Sequence, residues 1–315
     1  MRVVALVPGG IGEQILLFPT LDNLKRYYPN AQIDVVVEPQ AKAAYRVSKS
    51  VREVFTFDFN DRNSLADWGN LVGGIRDREY DVAIALRQSW WVGLLLWLTG
   101  IPTRIGYKGQ GSAFLTKSLL FKANQYAATT YHELLQLLGV NSPTPELAVN
   151  IPKPDIEWAK QEQKRLGIDE TGYVLIHSSA NESSPNNIYP VENWQQIIQD
   201  FQHKQPNLPI VLIQKPDEEE YARSLADTFA DVRVTSPDNV GKLAAMVGGA
   251  SLMLTTNSVT TQLSVAVQTY TIALFGPTDP AQVLPKSDKF LAIKSSTGKV
   301  ADISPSAVLE KIWGG

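Results

Sequence analysis

Short runs of aliphatic and β-branched residues alternate along the whole chain with longer stretches whose apolar positions recur every three or four residues. In the first half, Arg2–Val7, Ile33–Val37, Val54–Phe57, Val82–Leu86 and Arg104–Tyr107 predict strands. Apolar positions at Ile15, Leu16, Leu17, Leu21 and Leu24 predict a helix over Ile15–Tyr28, and Asn63–Arg78 follows the same spacing. In the second half, strands are predicted over Tyr173–His177, Ile210–Gln214, Val232–Val234, Leu252–Thr255 and Thr271–Phe275. Helices are predicted between them over Val191–Lys204, Glu218–Ala230, Val240–Gly248 and Val259–Val267. Strand–helix alternation repeated in this way predicts parallel sheets with helices on both faces.

The most apolar run, Trp90–Leu98 (WWVGLLLWL), falls short of the roughly 20 residues that a membrane-spanning helix needs. It reads as a buried helix; the sharper alternative is a Trp-rich patch that touches a membrane interface, where indoles settle. The segment Asn141–Pro154 holds four prolines and little helical pattern, which marks a joint between domains. The expected class is therefore α/β: two doubly wound, Rossmann-like domains, residues 1–145 and 146–315, facing each other across a central cleft. Open sheets of this kind bind ligands beyond the carboxyl ends of their strands.

Composition narrows the chemistry. The chain has 315 residues, 44% of them hydrophobic, and a net charge of only -3, which excludes dominant disorder. It has no Cys, which excludes thiolate catalysis and Cys-ligated metal sites, and only three His. The N-terminal apolar run stops at Pro8-Gly9-Gly10, too soon for a secretory signal, so a cytoplasmic location is expected. Charge is uneven: residues 1–150 carry 15 Lys and Arg against 13 Asp and Glu, and residues 151–315 carry 14 against 19. Between Asp81 and Glu133 there is no acid, while Arg87, Arg104, Lys108, Lys117 and Lys122 all fall there. Such a stretch suits an anionic glycan or lipid head group, or is an ordinary solvated face. An acidic chain without a recognised motif is not expected to bind nucleic acid.

Three loops at strand ends carry candidate chemistry. The first strand runs into Pro8-Gly9-Gly10-Ile11-Gly12-Glu13 and then a helix, an arrangement that brings backbone N–H groups close to an anion. Ile15 stands where a dinucleotide fingerprint needs Gly, and no P-loop lysine is present. Glu13 is placed either as a general base or as an acid complementing the helix dipole. The second loop, Thr256-Asn257-Ser258-Val259, offers N-capping side chains and free amides where a pyrophosphate can sit. The third, Phe275-Gly276-Pro277-Thr278-Asp279-Pro280, is a rigid turn after a strong strand.

In their order and spacing these pieces resemble glycosyltransferase family 9, the lipopolysaccharide heptosyltransferase-like enzymes of the GT-B fold. The resemblance rests on GGIGE-QILLFPTLDNLKRYYPNAQIDVVV, on YDVAIALRQSWWVGLLLWLTGIPTRIGY, on His132-Glu133 with the leucines that follow, and on IALFGPTDP. It implies an inverting, metal-independent transfer from a nucleotide-diphosphate sugar, typically ADP-linked, with no further cofactor. The donor would lie on the C-terminal domain and a glycan or glycolipid acceptor on the N-terminal one, at the inner face of the cell membrane. Glu13 would be the base, with Gly10, Gly12, Asn187, Asn257, Ser258, Gln262 and Asp279 on the donor and phosphate side. Arg87, Ser89, Arg104, Lys108 and His132 would serve the acceptor side.

The departures are chemical. Glu13 replaces the family's Asp, and Asn187 stands where a Lys or Arg meets the donor phosphates. The Asp-Ser/Thr-Gly-x-x-His turn reads Asn257-Ser258-Val259-Thr260-Thr261-Gln262. Two readings follow: a transferase with a changed donor, or a catalytically silent member that survives as a binding or assembly protein. An epimerase-like reaction on a nucleotide sugar is the remaining alternative.

Overall fold

The computed structural model describes residues 1–59, 63–178, 185–214, 224–225 and 228–314. The chain divides into two compact units, Met1–Asn150 and Ile151–Gly315. In the first, β1 (Arg2–Val7), β2 (Gln32–Val37), β3 (Glu53–Thr56), β4 (Val82–Ala85), β5 (Thr103–Tyr107) and β6 (Lys117–Leu119) form one sheet. Its helices are α1 (Ile11–Tyr27), α2 (Leu65–Arg76), α3 (Trp90–Leu98) and α4 (Ala127–Glu133). In the second unit the sheet holds β7 (Val174–His177), β8 (Ile210–Ile213), β9 (Val232–Thr235), β10 (Leu252–Thr256), β11 (Thr271–Phe275) and β12 (Phe290–Lys294). Its helices are α5 (Lys153–Leu166), α6 (Val191–Lys204), α7 (Val240–Gly249), α8 (Val259–Ala266), α9 (Pro280–Val283) and α10 (Pro305–Trp313).

Strand order in the first sheet is β3-β2-β1-β4-β5-β6, and in the second β12-β11-β10-β7-β8-β9. Numbered within its own unit, each is the same 3-2-1-4-5-6 order of a doubly wound Rossmann-like sheet. All adjacent pairs are parallel. The central strands earn their place by being apolar on both sides: β1, β2, β4, β7, β8 and β11 are buried along nearly their whole length. The order in which strands are added reverses between β1 and β4, and between β7 and β10, so each sheet opens a crevice at the carboxyl ends of those strands.

The fold class expected from the alternation is thus the one observed, as two doubly wound parallel sheets. Two strands escaped the reading: β6, whose three residues are Lys-Ser-Leu, and β12, in which only Phe290 is fully buried. Both are edge strands: β6 is too short and polar to show an apolar run, whereas β12 carries the run Phe290–Ile293 but buries only the first of those residues. The helix expected over Glu218–Ala230 lies mostly outside the described residues. The run Trp90–Leu98 is a helix, but it is not a buried one. Val92, Gly93, Leu95 and Leu96 pack inward while Trp90, Trp91, Trp97 and Leu98 are exposed. Periodicity could not reveal an outer face made of the same residue types as the inner one.

The amino-terminal edge of the first sheet is held by charge. Asp34, fully buried in β2, accepts from Arg52 Nε at 3.0 Å and Nη2 at 2.6 Å, from the Tyr80 hydroxyl at 2.7 Å and from the Glu53 amide at 3.1 Å. In the second unit, Trp194, Ile197, Ile198 and Phe201 of α6 pack on Val174, Ile210, Leu254 and Ile272 of the sheet. Each such side chain contributes about 1.5–3 kcal/mol by leaving water. No helix among the described residues is long and apolar enough to cross a membrane.

Candidate functional site

At the first crevice, β1 ends at Val7 and the chain turns through Gly9, whose φ of +125° excludes a side chain without strain. Gly10 is the N-cap of α1, Gly12 lies in its first turn, and Glu13 is that turn's acid. A Cβ built on Gly9 would come within 3.2 Å of Glu13 Cγ, and one on Gly10 within 3.4 Å of Glu13 Oε2. The two glycines therefore make room for the Glu13 side chain to fold back over the loop. Tyr131 is within electrostatic reach: burial, with the Glu13 charge adding to it, pushes its phenol up to about 12.

Gln14, a residue the sequence reading passed over, fixes this loop from beneath. Fully buried, it donates from Nε2 to the Val7 carbonyl at 2.9 Å and the Gly9 carbonyl at 3.4 Å. Its Oε1 accepts from the Tyr45 hydroxyl at 2.8 Å, and burial pushes that phenol upward. The signal in the sequence was a lone amide inside the apolar run Ile11–Phe18.

The other strands of this sheet deliver Arg87, Ser89 and Lys108 to the same carboxyl-terminal edge. Arg87 and Ser89 follow β4, with Ser89 as the N-cap of α3, and Lys108 follows β5. Gln88 Nε2 donates to the Lys108 carbonyl at 2.8 Å, which ties the two loops together. Two acids that the sequence reading missed come from the neighbouring strand ends, Glu38 after β2 and Asp58 after β3. Glu38 is buried and accepts from the Phe59 amide at 3.2 and 3.3 Å. Burial, and next the Asp58 charge, raise its carboxyl above the usual range, with Arg87 pulling the other way. Arg87 therefore faces acids supplied by other segments, which the acid-free stretch of its own segment could not disclose.

Arg104 and His132 are placed elsewhere. Arg104 is second in β5, at the amino-terminal end of the sheet, and donates from Nε to the Phe114 carbonyl at 2.8 Å and from Nη1 to the Ile101 carbonyl. His132 on α4 is 4% exposed and packs against α1, where Asn23 Nδ2 donates to its Nε2 at 2.8 Å and to Ser142 Oγ at 2.6 Å. Because the amide donates, Nε2 accepts and the ring is neutral with its proton on Nδ1. The imidazole expected to serve the acceptor side is tied between two helices.

Burial is the first cause that lowers the His132 pKa below its ordinary 6.5, with Glu133 opposing. With the folded value below the unfolded one, its contribution is complete above pH 6.5 and is lost as pH falls toward the folded value. We expect the melting temperature to drop between pH 7.5 and 5.5 by more in the wild type than in His132→Gln. Equal slopes in thermal melts of the two proteins would show that His132 does not carry this dependence.

At the second crevice, β7 ends at His177 and β10 at Thr256. His177 Nδ1 lies 3.2 Å from Ser258 Oγ and 3.0 Å from Thr260 Oγ1, and those two oxygens are 2.7 Å apart. Thr255 Oγ1 joins them at 2.8 Å from Thr260 Oγ1. The Ser258 amide at the start of α8 donates to Thr261 Oγ1 at 3.3 Å. The Asn257 backbone N–H donates to the Leu274 carbonyl at 3.0 Å. Gln262, one turn into α8, is buried, and among the described residues its Oε1 has no hydrogen-bond partner.

Asn187 ends a single turn, Pro185–Asn187, and packs against the loop after β11. A Cβ on Gly276 would stand 2.7 Å from the Asn186 carbonyl and 3.0 Å from both Asn187 Oδ1 and the Gly298 carbonyl. Only glycine lets these three loops meet. Asp279 caps the short helix α9, accepting from the Ala281 amide at 3.0 Å. Lys294, at the end of β12 and unmarked in the sequence reading, donates to the Gly276 carbonyl and to the Thr278 carbonyl at 2.8 Å. The cation at this loop thus already serves backbone oxygens.

Two doubly wound sheets, each with a glycine- or hydroxyl-bearing turn into a helix at its crevice, define a two-sheet protein of the GT-B class. The chain belongs to glycosyltransferase family 9 (heptosyltransferase), whose family model matches residues 68–312. It is similar to the photosynthetic NDH subunit of subcomplex B 1 of Arabidopsis thaliana, at 24% identity over 98% of this chain and 72% of that one. It is similar also to lipopolysaccharide heptosyltransferase 3 of Escherichia coli, at 24% identity over 85% of this chain and 81% of the relative. Among solved structures, the family 9 glycosyl transferase of Veillonella parvula superposes with a TM-score of 0.83, at 19% identity over 98% of this chain and 95% of the other. At that identity the likeness establishes the fold.

Proposed function

We propose that this chain is a family 9 member from which donor chemistry has been withdrawn, and that it works as a binding or assembly subunit. The observation that carries the reading is the set of side chains at the second crevice. Asn187, Asn257 and Gln262 stand where the resemblance puts a cation, an acid and an imidazole, and Val259 stands where it puts glycine. Without a cation at 187, a departing diphosphate loses charge stabilisation commonly worth several kcal/mol, or two to three orders of magnitude in rate. The hydroxyls of Thr255, Ser258 and Thr260 are bonded to one another and to His177, and the Ser258 amide to Thr261. A β-branched residue at 259 resists the close backbone approach that a phosphate would need. That one relative is itself named as a subunit of a larger complex fits this reading.

A second reading is favoured by one feature. Glu13, held over the Gly9-Gly10 turn, keeps a carboxylate where a transferase of this family would place its base. In that case Glu13 would take the proton of an acceptor hydroxyl, which attacks the anomeric carbon of a nucleotide sugar, ADP-linked by resemblance, as the diphosphate departs with the bonding pair. Arg87, Ser89 and Lys108 would face a glycan or glycolipid acceptor.

One titration separates the two. Calorimetry with ADP, GDP, UDP, CMP and their common sugars is expected to show no binding at millimolar ligand. Micromolar binding of any one of them would overturn the proposal and name the leaving group; Glu13→Gln should then abolish transfer while leaving that affinity unchanged.

A further inference from the structure

The two sheets have edges at β3, β6, β9 and β12. Three of these strands carry a charge that guards them against pairing with another chain: Glu53 in β3, Lys117 in β6 and Arg233 in β9. The fourth is unguarded. Phe290-Leu291-Ala292-Ile293 is apolar, and the Lys294 that ends it turns its Nζ back onto the Gly276 and Thr278 carbonyls. We propose that β12 pairs with β12 of a second copy of this chain about a two-fold axis, joining the two sheets edge to edge. This surface is the same whichever reading of the second crevice holds.

The backbone sets the register. Thr271 N–H donates to the Lys289 carbonyl and Ser295 N–H to the Phe275 carbonyl, both at 2.9 Å, so the odd-numbered residues of this segment bond to β11. The backbone groups of Ala292 and Lys294, and the Phe290 carbonyl, therefore face the open edge. With the axis at Ala292, the middle of the strand, Ala292 exchanges both bonds with its equivalent, and each Lys294 N–H reaches the other Phe290 carbonyl. Leu291 and Ile293 are half-buried on the side of the strand that belongs to the core under α10. In this register Leu291 of one copy lies opposite Ile293 of the other, twice, an apolar cross-strand pair. The exposed methyl of Ala292 meets only its own equivalent on the other face. Pairing of like with like also closes the assembly, where head-to-tail pairing would run on.

Helix α10 identifies the occupant as a second copy. It rests on β11 and β12 alike, with Val308, Leu309, Ile312 and Trp313 turned to the core. Its remaining face, Ala307, Glu310, Lys311 and Gly314, borders an open groove of about 720 Å³ along β12. Neither Glu310 nor Lys311 has an ion partner among the described residues. A two-fold axis sets two such helices antiparallel, with Glu310 of each opposite Lys311 of the other and Ala307 opposite Gly314. Acid then meets base at the centre, and small residues meet at both ends. Strands about 4.8 Å apart place the two helix axes about 10 Å apart, a distance at which helices pack.

Light scattering of the whole chain over a concentration series is expected to show a dimer. Ala292→Pro leaves the bonds to β11 intact, because position 292 faces outward, but removes the N–H at the axis and should give monomer throughout. Glu310→Lys and Lys311→Glu should each weaken the dimer roughly tenfold, by setting like charges against each other twice. Glu310→Lys/Lys311→Glu should restore it, an outcome that damage to the fold cannot produce. The chain has no Cys, so Ala292→Cys supplies a single thiol per copy, about 5.5 Å from its equivalent between Cα atoms. A short bifunctional thiol reagent should join these copies covalently and leave Ala307→Cys, which meets Gly314, unjoined. Unchanged circular dichroism and melting identify folded variants. A monomer across the whole concentration range overturns the proposal. So does a dimer that Ala292→Pro leaves intact, or a doubly reversed variant that associates no better than the single ones.

Discussion

Asp34→Ala is expected to lower stability by about 3–5 kcal/mol, the cost of breaking a buried charge pair from one side. The substitution strands three donors at once: the Arg52 guanidinium, the buried Tyr80 hydroxyl and the Glu53 amide. Arg52 is 40% exposed and recovers part of its hydration, which places the loss toward the lower end. For a unit of this size the melting temperature should fall by roughly 10 °C. Asp34→Ala/Tyr80→Phe should regain part of it, because the orphaned hydroxyl is gone. A single substitution that melts within a degree or two of the wild type would show that the cluster does not hold this edge of the sheet.

Gln14→Leu is the second large effect, at about 2–6 kcal/mol. Leucine fits the volume, but the Val7 carbonyl and the Tyr45 hydroxyl then lose their partner inside the core, at about 1–3 kcal/mol each. Gln14→Glu separates the two halves of the role, for it still accepts from Tyr45 but no longer donates to Val7 and Gly9. Gln14→Leu/Tyr45→Phe should recover the Tyr45 share alone. Equal chemical denaturation of wild type and Gln14→Leu would remove Gln14 as the support of the glycine turn.

What the sequence disclosed and what it hid follow from the range of each interaction. Central strands were legible because burial on both faces leaves an uninterrupted apolar run, as in β1 and β11. The strand β6 was not, since its three residues include only one apolar side chain, and β12 was missed although its Phe290–Ile293 run is apolar. The turns at Gly9-Gly10 and Asn257-Ser258 were legible from residue type alone. Gln14, Glu38 and Lys294 were not, because their roles are hydrogen bonds and charges between segments distant in sequence. His132 shows the same limit from the other side: its partner Asn23 is 109 residues away, and nothing local distinguishes a core tie from a site imidazole.

The repeated 3-2-1-4-5-6 order has a consequence for descent. The core over α6 draws only on residues 174–313, and the one beneath α2 and α3 only on residues 4–115. Among the described residues neither of these two cores takes a side chain from the other half, and residues 187, 257, 259 and 262 sit on turns and a helix start beyond the strand ends. Residues at the turns of one half can therefore change without loosening the sheet that carries them or the core of the other half.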